Sequence, residues 1–315
     1  MTGATSILLL SRLPEAAEQQ LETRGPLLRV ETPEHRRRLV AEQGAAVRIV
    51  VTTGLDGLSA AEIDALPALQ LVCSLGAGWE AIDLEHARRK GIALSYGPNT
   101  NAEAVADHAL ALILGARRRL LSHHATAQAA VVRSKVGMSD QIHGKRLGLL
   151  GMGQIGGRIA RRAQGFEMQV AYHARHRRDD LPYAYFDQLL ELARWCDVLV
   201  LAAPGGAATR HIVDAEVLAA LGSEGCLVNV ARASLVDQAA LVHGLATQVI
   251  RAAALDVYDD DPAAMRELAA CPNLLLSPHI AGRSPESMQA MVDLVLRNID
   301  SHLSGRGVIT PIPSP

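Results

Sequence analysis

Residues 146–156 read Arg146-Leu147-Gly148-Leu149-Leu150-Gly151-Met152-Gly153-Gln154-Ile155-Gly156, a short apolar strand running straight into a glycine-rich turn and then a helix-compatible stretch. Such a glycine pattern alone is often only a turn. Between a strand and a helix, inside a βαβ unit, it reads as a cradle for a dinucleotide pyrophosphate. Gly151 permits the tight turn, Gly153 lets the phosphates reach the backbone, and Gly156 lets the helix pack closely on the strand. Gln154 and Ile155 open that helix, whose free N–H groups and positive dipole end then face the phosphates.

Working outward, short apolar runs bounded by turn residues continue at 168–174, 198–203, 226–231, 252–257 and 274–277. With 146–150 they make six strands, the count of a Rossmann sheet. Upstream, strands at 7–10, 47–51, 69–74 and 92–95 alternate with helical segments at 14–24, 59–66 and 83–90. Ser59 and Asp83 suit N-caps, and Gly25 and Gly91 suit C-terminal stops. The βα alternation implies α/β architecture with two doubly wound parallel-sheet domains, a flavodoxin-like one and a Rossmann one. A long helix at 102–121 precedes the second series. A last helix, at 285–302, follows the completed second sheet and is expected to return to the first. The expected division is 1–100 with 284–315, and 101–283. The Pro-rich tail from Thr310 reads as disordered.

The 315 residues are enough for two domains, and 49% apolar with 20% charged residues is a globular balance. A formal net charge of -2 gives no basic field for nucleic acid or an anionic membrane, and neither is expected as a partner. The runs Arg36-Arg37-Arg38 and Arg117-Arg118-Arg119 read as solvated helix faces. Cys73, Cys196, Cys226 and Cys271 form no CxxC pair, which argues against a disulfide framework and against a zinc site; no metal is expected. There is no basic leader and no apolar stretch of bilayer length, so the expected location is the cytoplasm.

The strand after the glycine turn ends in Tyr172-His173-Ala174-Arg175-His176-Arg177-Arg178. Ala174 stands where an acidic residue would hold the ribose 2′-hydroxyl of NAD. Arg175, His176 and Arg177 instead suit the 2′-phosphate of NADP through charge-assisted bonds. The segment also reads as a plain exposed basic loop. NADP(H) is the expected cofactor.

Three further strand ends carry polar residues: Asn229-Val230-Ala231-Arg232, Asp256-Val257-Tyr258-Asp259-Asp260-Asp261-Pro262, and Ser277-Pro278-His279-Ile280-Ala281. Singly, Arg232 is a surface cation, His279 a loop residue, and the aspartate run a helix start. In this order, behind a nucleotide fingerprint and at the sheet edge that carries ligands, they read as one site.

With the Gly76-Ala77-Gly78 turn, Asn101 and Ala104-Val105-Ala106-Asp107-His108, these motifs make the chain similar, from about Leu69 onward, to the D-isomer-specific 2-hydroxyacid dehydrogenases. The basic strand end most resembles NADPH-using glyoxylate, hydroxypyruvate and 2-ketogluconate reductases. The resemblance implies hydride transfer from NADPH to a small 2-oxo acid, giving the D-2-hydroxy acid, in a cleft between a substrate-binding and a dinucleotide-binding domain. It implies that Arg232 forks onto the substrate carboxylate and carbonyl and that His279 is the acid/base. Asp261, where the family has glutamate, would pair with that histidine. The backbone of Ala77 and Gly78, beside Gly76, would hold the carboxylate. Asp256 would contact the nicotinamide side, Ala203 and Pro204 border the adenine, and Val230 and Ala231 the nicotinamide, with Arg232, His279 and Ala281 in the same cofactor-lining set. A homodimer is implied, with 102–121 and 122–133 at its contact. Many members carry a tryptophan where 132–137 has none, and neither Trp79 nor Trp195 fills that position. The rival reading is a non-enzymatic NAD(P)-sensing or corepressor-like protein on the same fold, against which the retained Arg232 and His279 speak.

Overall fold

Side chains along a strand alternate between the two sheet faces, so a run that is apolar at every position must be covered on both. In the computed structural model, which describes residues 5–132, 134 and 136–314, the apolar runs are buried in this way within two separate units, Met1–Asn101 with Arg283–Pro315, and Ala102–Gly282.

Unit 1 holds β1 (Ser6–Leu9), β2 (Leu27–Arg29), β3 (Val47–Thr53), β4 (Leu71–Leu75) and β5 (Ala93–Ser95), all parallel, in the order β2-β1-β3-β4-β5. Ile7, Leu9, Ile49, Val51, Leu71 and Cys73 face one core with Val292, Val295 and Ile299 of α12 (Pro285–Leu303). Leu8, Val50 and Val72 face the other, with Leu39 and Val40 of α2 (Pro33–Gln43) and Ile63 of α3 (Ala60–Asp64). Ser59 caps α3 in a capping box with Glu62, and Asp83 caps α4 (Leu84–Arg89) by accepting from His86 N at 2.9 Å. Gly91 follows α4 at φ +72, the left-handed position that ends helices.

Unit 2 holds β6 (Arg146–Leu150), β7 (Gln169–His173), β8 (Ala184–Tyr185), β9 (Val198–Leu201), β10 (Cys226–Asn229), β11 (Ala252–Leu255) and β12 (Leu274–Leu276). All are parallel, in the order β12-β11-β10-β9-β6-β7-β8. The register places Leu150 beside His173 and Leu201, Leu201 beside Asn229, Asn229 beside Leu255, and Leu255 beside Leu276. The strands therefore stop in one row, and the loops that follow them leave the sheet at one edge, the edge where open α/β sheets bind ligands.

Several expectations need correction. Seven strands, not six, make this sheet among the described residues. The missed one is β8, two residues long, and the Rossmann order 3-2-1-4-5-6 is complete only with it. In unit 1, β2 and α2 add to the expected strands and helices, α2 carrying the helix face expected at Arg36-Arg37-Arg38. The three-residue β2 is too short for a pattern, and α2 shows few apolar positions. The long helix is α5 (Ala102–Arg117), which breaks at Arg119 (φ +52) before α6 (Leu120–Gln128). Arg133 and Lys135, within the segment named for the dimer contact and the missing tryptophan, lie outside the described residues.

Arg117 is not solvated. It is 3% exposed, its Nη1 donates to Glu224 O at 2.6 Å, and the Asp140 carboxylate lies 3.3 Å from Nη2. Its place in the buried series Ala106, Leu110, Ile113, Arg117, a 3.6-residue stripe, is the reason. Arg36 also turns inward, donating to Asp56 O at 2.8 Å, Gly57 O at 3.1 Å and the Glu62 carboxylate. The tail from Thr310 is ordered as far as it is described. Tyr96 N donates to Thr310 O at 3.1 Å, Asn298 Oδ1 accepts from Thr310 N at 3.1 Å, and Ile312 packs in the core.

Candidate active site

The turn after β6 is built around missing side chains. Gly151 has φ +96, and a Cβ there would lie 2.8 Å from the backbone of Ala202 and Ala203. A Cβ on Gly156 would lie 2.2 Å from Gly151 O, so nothing larger lets α7 (Gln154–Gln164) start this close to β6. A Cβ on Gly153 would meet nothing within 4 Å, which leaves that backbone open to a ligand. Gly153 is also the N-cap of α7 and brings no side chain to cap it. An uncapped helix start over an open glycine fits a pyrophosphate.

The loop after β7 begins at half-buried Ala174, followed by exposed Arg175, His176 and Arg177. Arg177 pairs with Asp179 at 2.8 Å, an exposed pair that a phosphate can readily replace. Arg178 is committed locally: its N donates to Tyr172 Oη at 2.7 Å, its Nη1 to Met152 O at 3.3 Å, and its guanidinium pairs with Asp180. It thereby ties the basic loop to the glycine turn. Ala203 and Pro204 follow β9, and buried Val230 and Ala231 follow β10.

Arg232 sits in a turn that Asn229 holds. The buried Asn229 amide donates from Nδ2 to Arg232 O at 2.9 Å and accepts at Oδ1 from Ala231 N at 3.0 Å. Arg232 Nη1 donates to Ala231 O at 2.8 Å. A Cβ on Gly205 would lie 3.0 Å from Arg232 Cγ, so that glycine makes room for the arginine stem.

His279 lies in the turn after β12 with φ +53, a left-handed conformation uncommon outside glycine. Asp256, after β11, organises this turn. Its backbone oxygen accepts from His279 N at 2.9 Å. Oδ1 accepts from Ser277 Oγ at 2.7 Å and Ile280 N at 3.0 Å, and Oδ2 from Ala281 N at 2.9 Å. His108 Nε2, on α5, lies 2.9 Å from Ser277 Oγ and 3.5 Å from Asp256 Oδ1. Burial, with Asp256 only 1% exposed, pushes this carboxyl up; hydrogen bonds from His108, Ser277, Ala281 and Ile280 outweigh it and hold it at about 2.

Asp261 is exposed and caps α11 (Pro262–Ala269), its Oδ2 accepting from Ala263 N at 2.9 Å and Ala264 N at 3.2 Å. In unit 1, the turn after β4 has Gly76 at φ +79, with exposed Ala77 and half-buried Gly78. Ser74 Oγ donates to Gly78 O at 2.5 Å, and Gly97 N donates to Gly76 O at 2.6 Å.

Unit 2 thus brings Arg232, Asp256 and His279 to the ends of the adjacent strands β10, β11 and β12, in the same row as the glycine turn. Sequence reading left Asn229, Gly205, Ser277 and His108 without roles. The signal that could have found two of them is composition: Asn229 and Ser277 are polar residues at the ends of apolar strands, where a polar group needs a partner.

Such a sheet, with a glycine cradle, an arginine and a histidine on one edge, defines a dinucleotide-binding α/β protein. Residues 110–281 match the family model for the D-isomer specific 2-hydroxyacid dehydrogenase, NAD binding domain. Similar proteins include a glyoxylate/hydroxypyruvate reductase A of Arabidopsis thaliana, 34% identical over 307 residues, covering 97% of this chain and 98% of that one. A 2-ketogluconate reductase of Gluconobacter oxydans is 35% identical over 268 residues, 85% of this chain and 86% of that one. The solved NADPH-dependent glyoxylate/hydroxypyruvate reductase of Sinorhizobium meliloti, in complex with NADP and malonate, superposes with a TM-score of 0.89 at 32% identity, covering 98% of this chain and 97% of that one. The chain belongs to the D-isomer specific 2-hydroxyacid dehydrogenase family.

Proposed function

We propose that this chain is an NADPH-dependent reductase of small 2-oxo acids, of the glyoxylate and hydroxypyruvate kind, giving D-2-hydroxy acids. The observation that carries this is the single row of strand ends that bears a glycine cradle, a basic loop, Arg232 and His279. Unit 2 is the dinucleotide-binding domain in this reading, and unit 1 the substrate-binding domain. Gly151, Gly153, Gln154, Ile155 and Gly156 hold the pyrophosphate, and Arg175, His176 and Arg177 the 2′-phosphate beside Ala174. Ala203 and Pro204 border the adenine, and Val230, Ala231 and Ala281 the nicotinamide, with Asp256 on the nicotinamide side.

When bound, the reduced nicotinamide supplies a hydride to the carbonyl carbon. Arg232 offers a planar fork to the carboxylate and carbonyl oxygen, which fixes the carbonyl for attack and draws charge toward oxygen. His279, protonated, gives its proton to that oxygen, so that C=O becomes H–C–OH. The amides of Ala77 and Gly78, after Gly76, take the carboxylate. Asp261 pairs with His279 and favours its charged form.

NADPH consumption with glyoxylate and hydroxypyruvate tests this reading. Turnover with at least one of them is expected; NADPH binding without turnover on any 2-oxo acid would establish the non-enzymatic alternative instead.

The chain is proposed to work as a homodimer. α6 buries none of its residues, and Leu120, Leu121, Val131, Val132 and Met138 are exposed large apolar side chains within 19 positions of one another. Sedimentation should give twice the chain mass, and Leu121→Glu should shift it toward the monomer. No helix among the described residues is long and apolar enough to cross a membrane. Cys73, Cys196 and Cys226 are free, with thiols that burial pushes up to about 12, which suits the proposed cytoplasmic location.

A further inference from the structure

We propose that His108 and Ser277 are positioning residues for the reaction, acting through Asp256 to hold the 277–281 turn so that the His279 imidazole stays where its proton is delivered. The proposal rests on His279 being the acid.

The hydrogen count fixes the direction of the network. A serine hydroxyl has one proton, and that of Ser277 goes to Asp256 Oδ1 at 2.7 Å. His108 Nε2, 2.9 Å from the Ser277 Oγ, must then be a donor to that hydroxyl, so Nε2 carries the hydrogen. The result is a directed chain from His108 N–H to Ser277 O–H to the Asp256 carboxylate. His108 comes from α5, and Ser277 directly follows β12, so two elements converge on the aspartate that follows β11.

The turn around His279 is gripped from within. Apart from Pro278, which has no N–H, each residue from Ser277 to Ala281 donates a hydrogen bond to Asp256: Ser277 by its hydroxyl, His279, Ile280 and Ala281 by their peptide N–H groups. A left-handed histidine persists only where its surroundings over-determine it. The Asp256 carboxylate is buried and bonded on both oxygens, so it is held in one orientation. Its use here fits a demand for fixed direction, and the orientation of a proton donor is such a demand.

The test compares Ser277→Ala, Ser277→Thr, His108→Leu and His108→Gln with wild type, alongside His279→Ala. Ser277→Ala and His108→Leu are expected to lower kcat by about tenfold to a hundredfold, the scale of a small misplacement of a catalytic group. NADPH affinity, read by fluorescence titration without substrate, and the KM of the 2-oxo acid should hold near wild type. Amide exchange at Ile280 and Ala281 should speed up in the free protein. Ser277→Thr, which keeps the hydroxyl, and His108→Gln, which keeps an N–H donor, should regain most of kcat. Wild-type kcat in Ser277→Ala and His108→Leu overturns the proposal. So does a loss that falls on NADPH affinity or on folding rather than on kcat, or one that threonine and glutamine fail to restore. If His279→Ala itself keeps wild-type turnover, the reading of His279 as the acid fails first and takes this proposal with it.

Discussion

The peptide N–H of His279 donates to the backbone oxygen of Asp256 at 2.9 Å, while the side chain of the same aspartate accepts from Ile280 and Ala281. One residue grips the turn by main chain and side chain together, and this grip has a pH dependence. The folded carboxyl is held at about 2, below its ordinary value of 3.8. A carboxyl lowered by folding contributes stability that is present above its unfolded value and is lost as pH falls through the folded one. The window is therefore about pH 4 down to about pH 2, and the contribution is roughly 2 kcal/mol. Urea unfolding of wild type and Asp256→Asn should show a stability gap that narrows over this window. A gap unchanged with pH would remove the charge of Asp256 from the turn's stability.

His279→Ala is expected to lower reduction by a hundredfold to ten-thousandfold, roughly the worth of a positioned acid, with NADPH binding nearly unchanged. Arg232→Lys should damage kcat and KM together, because a point-charge ammonium cannot reproduce the planar fork. Steady-state kinetics with a fluorescence titration of NADPH checks both. Wild-type rates in His279→Ala would leave the mechanism without its proton donor.

Cofactor choice separates the arginines of the basic loop. Arg175 is exposed next to Ala174, and a charge-assisted contact to a 2′-phosphate contributes roughly 1.5–3 kcal/mol. Arg175→Ala should therefore cut the preference for NADPH over NADH by about tenfold or more. Arg178 instead reaches Met152 O in the glycine turn, so Arg178→Ala should weaken both cofactors alike. The two ratios of kcat/KM decide it; equal use of NADH and NADPH by the wild type would end the argument.

Gly153 and Gly156, three positions apart, should respond differently to a single methyl group. Gly156→Ala places a Cβ 2.2 Å from Gly151 O, so β6 and α7 must part, and both Tm and NADPH affinity should fall. Gly153→Ala meets open space at a negative φ of -80, so Tm should hold while affinity falls, because the methyl stands where the phosphates approach. Thermal melts with and without NADPH distinguish them. A Gly153→Ala protein that binds NADPH as wild type does would mean that the phosphates lie elsewhere.

What the sequence made legible follows from length and pattern. β6 is legible to the residue because an apolar run ends in glycines that only a tight turn requires, and β9, β10 and β11 show a similar contrast between an apolar run and the polar or turn residues after it. β8 was invisible, since two residues carry no periodicity and its place is set by pairing with Ala171 and Tyr172. Arg117 runs against its charge, because its position continues the buried stripe of α5 and phase prevails over residue type there. In the site, Arg232 and His279 stood out by type and by position at strand ends. His108 did not, because its partner Ser277 is 169 positions away and only the fold brings them to 2.9 Å.

Asp261 carries two tasks in the proposed mechanism, and substitution can separate them. Its Oδ2 accepts from Ala263 N and Ala264 N and so caps α11, while the pairing with His279 needs its charge. Asparagine caps helices about as well as aspartate, whereas alanine in its place costs about 1 kcal/mol. Asp261→Asn should therefore keep Tm near wild type and remove only the charge. With less to favour the protonated imidazole, the alkaline limb of kcat/KM for 2-oxo acid reduction should move to lower pH. Asp261→Ala should show the same limb with a lower Tm. Asp261→Glu restores the family's residue but adds a methylene, about 1.5 Å of reach, and glutamate caps poorly from this position. It should lower Tm like alanine while keeping the limb near its wild-type position. An Asp261→Asn enzyme with an unchanged pH profile would leave Asp261 as a helix cap alone, and the carboxylate that serves His279 would have to be sought at another residue.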